Sequence, residues 1–556
     1  YNQAHAYGLL SIFSGETVQS AEVSKGYISP AYGSRLSALT QIRTREGDRQ
    51  HHRQSLTVGT LSLAGTADGP LVRGKGSYLV SARYFFPEAV LAAVGNSVRF
   101  GFHDITGKLS YDVHRSHTLS LGVYTGDDRM RNADEGAENS FGWGNTTASL
   151  RLRSRWREGL GSTAVVYYSF LQNRQQAEYR EDGSVNEGKT TFRTHEFGAR
   201  MTFDHRLSEH YALEYGASFS AQRFLPMHTR AVVEGQERET EYPASQLLSG
   251  ALFVNNRLQW GSWRADLGVR GALYDNADDT AFALEPRAQL SYDFGRDRAV
   301  WASATLNSQA LVQFNRYYYS MPIDFWTPFQ DGRLQRAWQV ALGGRMKLHE
   351  RLTLSLETYY KRMRNLPMIY DSDDFLLGRD GFVYGTGWAF GVEAMLQWQT
   401  DRLSLTASYT YTNSRRRSDG VTYPFEYDIP HDFNTFMSYD VVKQPDRGRR
   451  HTFSLNVSWR TGLPYRLTNT AYPDSDGNPI FGITPYPTMR MRNYFRTDIS
   501  YNMERRKRNG VRNWQFSILN ATWHKNPVSI YPHRGTYKAT VLIPIMPSIS
   551  YTRTFK

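Results

Sequence analysis

Alternation with a period of two constrains this chain more than any other feature of it. Between Leu403 and Tyr411, the residues Leu403, Leu405, Ala407, Tyr409 and Tyr411 fall on one face and Ser404, Thr406, Ser408 and Thr410 on the other. The division recurs with Phe453, Leu455, Val457 and Trp459 against Thr452, Ser454, Asn456 and Ser458. It recurs again with Trp388, Phe390, Val392, Ala394, Leu396 and Trp398 against Gly391, Glu393, Gln397 and Gln399. Successive side chains of a strand point to opposite faces, so each segment reads as a strand with one apolar and one polar side. The polar side carries Ser, Thr, Asn and Gln rather than the Lys and Glu of a soluble sheet. That side suits a wet interior, and the apolar side suits lipid with an interfacial aromatic belt.

Two kinds of connection alternate along the chain. Short ones read at 114–117, 158–161, 207–210, 261–262, 295–297, 349–351 and 400–402, and slightly longer ones at 65–76, 444–448 and 506–510. Long stretches lie between these hairpins, among them 226–245, 311–335, 366–385 and 463–493. About ten short turns and about eleven long connections predict an all-β fold: a closed antiparallel transmembrane β-barrel of about 22 strands, each of about 9 to 11 residues or somewhat longer. Closure removes the free edges of so large a sheet, and an even count returns the C-terminus to the side where the barrel begins.

Composition agrees. The mean hydropathy is −0.56, and no run reaches the roughly 18 apolar residues of a helical span. A barrel keeps a polar average because only alternate residues face lipid. The 36 Tyr, 29 Phe and 12 Trp are what two aromatic girdles require. The absence of cysteine excludes disulfides, thiolate metal sites and cysteine nucleophiles. The formal charge of +13 could draw an anionic ligand or nucleic acid. The preferred reading places Lys and Arg at turns and rims beside lipid phosphates, because the basic runs at 415–417, 447–450 and 505–508 fall at predicted connections. No nucleic-acid partner is expected.

Candidate sites are few. His51 and His52 form an adjacent pair without further ligands at metal spacing, and read as a polar linker. Asp371, Asp373 and Asp374 lack the remaining ligands of a calcium loop and read as a solvated tip. No metal or cofactor is expected. The densest aromatic run in a long loop holds Tyr317, Tyr318, Tyr319, Phe325 and Trp326. Such rings can stack on a ligand at the extracellular mouth, or pack the loop onto the barrel rim. There is no GxSxG, HExxH or phosphate-binding glycine loop, so no catalytic residue is assigned and no enzyme is expected.

Several segments carry a family resemblance. Lys25-Gly26-Tyr27-Ile28-Ser29-Pro30-Ala31-Tyr32-Gly33-Ser34-Arg35-Leu36-Ser37, followed by Gln41-Ile42-Arg43-Thr44-Arg45, resembles the end of a TonB-dependent receptor plug. Ala67-Asp68-Gly69-Pro70-Leu71, Leu284-Glu285-Pro286-Arg287, Gly391-Val392-Glu393, Tyr427-Asp428 with His431-Asp432, and the closing Ile545 to Tyr551 follow in family order. The likeness is to receptors with a small carboxypeptidase-regulatory-like sandwich before the plug, related to SusC-type importers. Ser37-Ala38 stands where many plugs have a Gly pair, and Lys556 follows the terminal aromatic Phe555.

The resemblance implies the C-terminal part of a plug over 1–47, a linker over 48–53 and the barrel over 54–556, in the outer membrane of a Gram-negative bacterium. The plug remnant is too short for a core of its own and is expected inside the lumen. The first half of the plug, a TonB box and a signal leader are expected upstream of Tyr1. Arg35, Arg43 and Arg45 would anchor the plug to wall carboxylates, among them Glu357 and Glu393, which alternation places inward. The implied function is import of a specific ligand (siderophore, glycan, peptide or similar) driven by the TonB complex. The other class of function left open is a barrel that docks a surface lipoprotein or serves as an adhesin. Outer-membrane lipids and lipopolysaccharide are expected neighbours.

Overall fold

Residues that alternate apolar and polar pair in sequence order into one closed antiparallel barrel of 22 strands. The computed structural model describes the chain apart from residues 1–3, 6–9, 94–98, 135–136, 182–183, 234, 317–322, 370–380, 466–467, 474–478, 484–485, 534–535, 543 and 556. The first barrel strand, Arg53–Gly59, pairs with the last, Met546–Phe555, through Gln54 opposite Phe555 and Gly59 opposite Ser550. No edge is left open, which a strand set inside hydrocarbon requires. One short α-helix, Glu88–Ala93, buries Leu91 in a cluster with Leu61, Phe85, Phe102 and Met546. Among the described residues no helix is long and apolar enough to cross a membrane.

Three sequence expectations about connections need correction. The segment 65–76 is mostly strand: Ser62–Val72 pairs with Gly76–Phe85, and only three residues turn. Its Gly and Pro misled the reading, yet Pro70 sits beside a register shift, where the missing N–H disturbs the ladder least. The basic runs also belong to strand ends. Arg415, Arg416 and Arg417 lie inside Leu403–Ser418, and Arg505 and Arg506 inside Tyr494–Lys507. Finally, 226–245 is largely a β-hairpin, because Tyr211–Val233 continues past the membrane and pairs with Gln236–Glu241. Strands grow accordingly, to 23 residues in Ser184–Arg206. Continuing the ladder outside the bilayer satisfies backbone groups that a loose loop would leave to water.

Facing follows the alternation. Leu356, Val392, Val340 and Leu342 point outward and remain exposed, as residues meant for lipid do in a bare protein. Their neighbours Glu357 and Glu393 stand opposite each other on the inner face. The N-terminal segment lies in the lumen. Its strands Val18–Ser24 and Leu39–Thr44 pair with each other, and its side chains and carbonyls meet the inner face of strands around the ring, from Asp68 and Lys108 to Asn255, Arg287, Lys361 and Glu393.

Candidate functional site: the apex of the lumenal segment

The loop between the two lumenal strands carries the site, and its shape starts from four residues. Ser29-Pro30-Ala31-Tyr32 closes a turn in which the Tyr32 N–H donates to Ser29 O at 2.9 Å. Pro30 occupies the position where a fixed φ presets the bend. The turn aims its carbonyls at the wall. Arg287 donates through Nη1 to Ile28, Ser29 and Tyr32 oxygens at 3.1, 3.0 and 2.7 Å, and Arg270 donates to Pro30 O at 3.3 Å. Gly33 lets the loop come this close, since a Cβ there would stand 2.4 Å from Arg270 Nε.

Wall donors hold carbonyls of the lumenal segment elsewhere too. Gln339 donates to Lys25 O at 3.0 Å, Lys361 to Leu36 O at 2.9 Å and Lys108 to Thr44 O at 2.7 Å. Tyr27 donates to Asn255 Oδ1 at 2.7 Å and Ser29 to Glu214 Oε2 at 3.0 Å. Near the first strands, Asp68 accepts from Arg45 at 2.8 Å and from the Asp48 N–H at 2.9 Å, and Arg49 pairs with Asp112. At the start of the chain, the buried His5 ring lies 2.6 Å from Asp128 and 3.4 Å from Asp104. Burial alone would lower its pKa, but the two carboxylates prevail and raise it.

The sequence-predicted contacts are placed differently from one another. Arg45 meets a carboxylate, Asp68. Glu393 meets the lumenal segment through Lys25 rather than an arginine. Glu357 accepts from Trp301 Nε1 at 2.9 Å. Arg43 is exposed and forms no ion pair among the described residues. Sequence reasoning missed Lys25, Lys108, Arg270, Arg287 and Lys361. The signal for Arg287 was present, because Glu285 and Arg287 flank Pro286 with the period that puts both inside.

At the top of the loop, Ser34 adopts a φ of 62° and its hydroxyl lies 2.9 Å from Tyr274 Oη. Such a φ is uncommon for a residue with a Cβ. The next residue, Arg35, is exposed, and its guanidinium stands 5.7 Å from the Trp326 ring. Arg200 covers Tyr32 at 4.4 Å. Trp326 belongs to a hairpin, Leu311–Arg316 paired with Ile323–Pro328, that folds in from the mouth. The hairpin packs against residues of distant strands, with Phe325 buried among Phe192, Met227, Val312 and Phe382. The Phe325 ring is therefore closed to solvent, whereas Trp326 is half-buried above the apex. Tyr317, Tyr318 and Tyr319 fall outside the described residues, as do Asp371, Asp373 and Asp374.

A closed 22-strand barrel with a segment pinned in its lumen narrows the comparison, and the family described as TonB dependent receptor-like, beta-barrel matches residues 84–522. The chain belongs to that family. It is a plugged-barrel transporter of a family that resides in the Gram-negative outer membrane. No curated protein matches it in sequence. Among solved structures, it is similar to BauA, the ferric preacinetobactin receptor from Acinetobacter baumannii, at 12% identity and a TM-score of 0.71 over 100% of this chain and 88% of that one. The ferripyoverdine receptor of the outer membrane of Pseudomonas aeruginosa aligns at 13% and 0.71, over 100% and 78%. The ferric citrate transporter FecA aligns at 14% and 0.68, over 100% and 86%. At such identities these structures speak for the fold.

Proposed function

We propose that this receptor imports an anionic ferric chelate, which docks on the plug apex below the aromatic hairpin. The observation that carries the reading is the exposed Arg35, which has no carboxylate partner among the described residues and lies within reach of the Trp326 face. A cation beside an aromatic plane suits a chelate with carboxylate or catecholate oxygens and flat rings. Arg200 over Tyr32 repeats the pairing. The ferric ligands of the structural neighbours support the same class. Tyr317, Tyr318 and Tyr319, outside the described residues, are proposed as further ligand contacts on their stacking chemistry, and Phe325 serves the site by fixing the hairpin.

In this reading, residues 1–47 are the C-terminal part of the plug, 48–53 the linker and 54–556 the barrel. The TonB complex engages a region upstream of Tyr1, preceded by the regulatory-like sandwich of the SusC-related group. Outer-leaflet lipids surround the barrel, and a surface lipoprotein is a further candidate partner. The reaction is transport, with no enzymatic step. Plug contacts through Lys25 with Glu393 and Arg45 with Asp68 hold the closed state until TonB pulls.

The test is uptake in an iron-starved deletion strain complemented with the full-length gene, offered labelled ferric citrate and ferric catecholate chelates. Arg35→Ala should weaken uptake by about tenfold, as expected for a lost charge-assisted contact. Uptake that is the same with and without the gene for every ferric chelate would overturn the reading.

A further inference from the structure

The outer wall carries two cross-strand rows of unpaired arginine just above the apolar belt. In the lower row Trp338, Arg362, Trp388 and Arg415 stand side by side on four consecutive strands. In the upper row Arg336, Arg364, Thr386 and Arg417 do the same. Both rows lie at the end of the strands opposite the short turn at 350–351, hence on the extracellular side. They share the facing of the exposed Val340 and Leu342 on the same strand, so they point away from the lumen.

None of the five arginines forms an ion pair among the described residues. Arg362 stands 5.8 Å from the Trp388 ring, Arg415 Nε donates to Asn413 Oδ1 at 3.3 Å, and Arg336 donates to Phe282 O at 3.3 Å. The outer wall at 129–174 differs, because there Arg129 and Arg174 pair with Asp127 and Arg131 pairs with Glu138. Five guanidiniums in two adjacent rows repel one another unless an anion lies among them.

Directly below the arginines runs an apolar groove of about 760 Å³. Its floor is small: Ala288, Ala302 and Ala304 lie between the larger Leu267 and Leu290 on one side and Val340 and Leu342 on the other. The groove meets the arginine rows at Tyr360 and Phe390, which stand opposite each other one row below Arg362 and Trp388. A strip of alanine bounded by longer side chains fits an alkyl chain, and Trp338 and Trp388 mark the interface level.

We propose that this face binds one phosphorylated lipid of the outer leaflet, with its headgroup phosphates among Arg336, Arg362, Arg364, Arg415 and Arg417 and one acyl chain in the alanine groove. Guanidinium forks match phosphate oxygens, and the groove sets the height at which the headgroup sits. The inference rests on the outer-membrane orientation proposed above, but not on which ligand is transported.

The test uses the full-length protein extracted in mild detergent, with bound lipid read by native mass spectrometry. The probes are bisphosphorylated lipid A, the same lipid stripped of its phosphates, and inorganic phosphate as competitor. Wild type should retain one bisphosphorylated lipid, bind the stripped lipid far more weakly, and keep its lipid against an equal concentration of inorganic phosphate. Arg362→Gln/Arg364→Gln/Arg415→Gln should weaken retention by about fivefold per arginine, on the order of a hundredfold in all. Ala304→Phe fills the groove without touching an arginine and should also lower retention, which keeps the test decisive if the triple variant fails to assemble. Arg129→Gln/Arg131→Gln should retain lipid as wild type does. Equal retention by the triple and groove variants, equal binding of the stripped lipid, or displacement by inorganic phosphate would each overturn the proposal.

Discussion

Glu285 and Arg287 stand two residues apart on one lumen-facing strand, Nη2 to Oε2 at 2.7 Å, and both are almost fully buried. The pair orients the guanidinium so that its other nitrogen holds three plug carbonyls at once. A second carboxylate oxygen of Glu285 accepts from the Ser308 N–H at 3.0 Å, fixing the pair to the next strand. The main grip on the plug apex is thus a wall cation on backbone oxygens, the reverse of plug arginines on wall acids.

Breaking that pair from one side should cost much more than removing it whole. Glu285→Ala leaves a buried, uncompensated guanidinium, and should destabilise the closed state by about 3–5 kcal/mol. Glu285→Leu/Arg287→Met should cost less than the single change. Limited proteolysis of the plug across a urea series measures both, and equal effects of the two variants would show that Arg287 is not charged and paired in the closed state.

Arg45 and Arg43 should behave differently although both close the last plug strand. Arg45→Ala removes the partner of the buried Asp68 and should raise entry of small antibiotics into cells. Arg43→Ala should leave permeability unchanged, because Arg43 is exposed and unpaired among the described residues. Antibiotic sensitivity in a strain carrying each variant checks the contrast.

Acid should tighten the start of the chain. His5 has a raised pKa, so its protonated ring is favoured in the folded state over the unfolded chain. The stabilisation is fully present below the ordinary value of 6.5 and is lost as pH rises through the folded pKa. Protection of the amides near His5, taken relative to their intrinsic base-catalysed exchange, should therefore fall from mildly acid to mildly alkaline pH. His5→Gln should flatten the dependence. A wild-type rate of opening that falls with rising pH would reverse the sign and refute the Asp104 and Asp128 contacts.

Facing can be tested with a single charge. Leu405→Arg or Val457→Arg puts a cation against lipid at a cost of roughly 2–4 kcal/mol near the midplane, and should impair assembly. Thr406→Arg or Asn456→Arg points inward and should be tolerated far better. Heat-modifiable migration on gels reports assembly for all four.

The barrel was legible in the sequence because lipid and lumen impose opposite chemistry on adjacent residues, so Leu403 to Tyr411 states its own facing. Strand ends were harder to read. Gly69 and Pro70 look like a turn until Asp68 is seen taking Arg45, and Arg415 to Arg417 look like a rim until cross-strand register places two outward and one inward. The plug contacts were read only in part, because a carbonyl acceptor leaves no trace in side-chain identity. Nothing in the residue types says that Ile28, Ser29 and Tyr32 would offer their backbone oxygens to Arg287.

Locking the plug tests most directly that it must move for transport. Residues 1–556 hold no cysteine that could pair with an introduced one. A Cβ at Gly26 would stand 3.5 Å from Ala341 Cβ, within the span of a disulfide. In Gly26→Cys/Ala341→Cys cells, uptake of a ferric chelate should stop under oxidising conditions and return when reductant is added. Each single cysteine should transport normally in both conditions. Undiminished uptake by the fully cross-linked protein would contradict a plug that is displaced to admit the ligand.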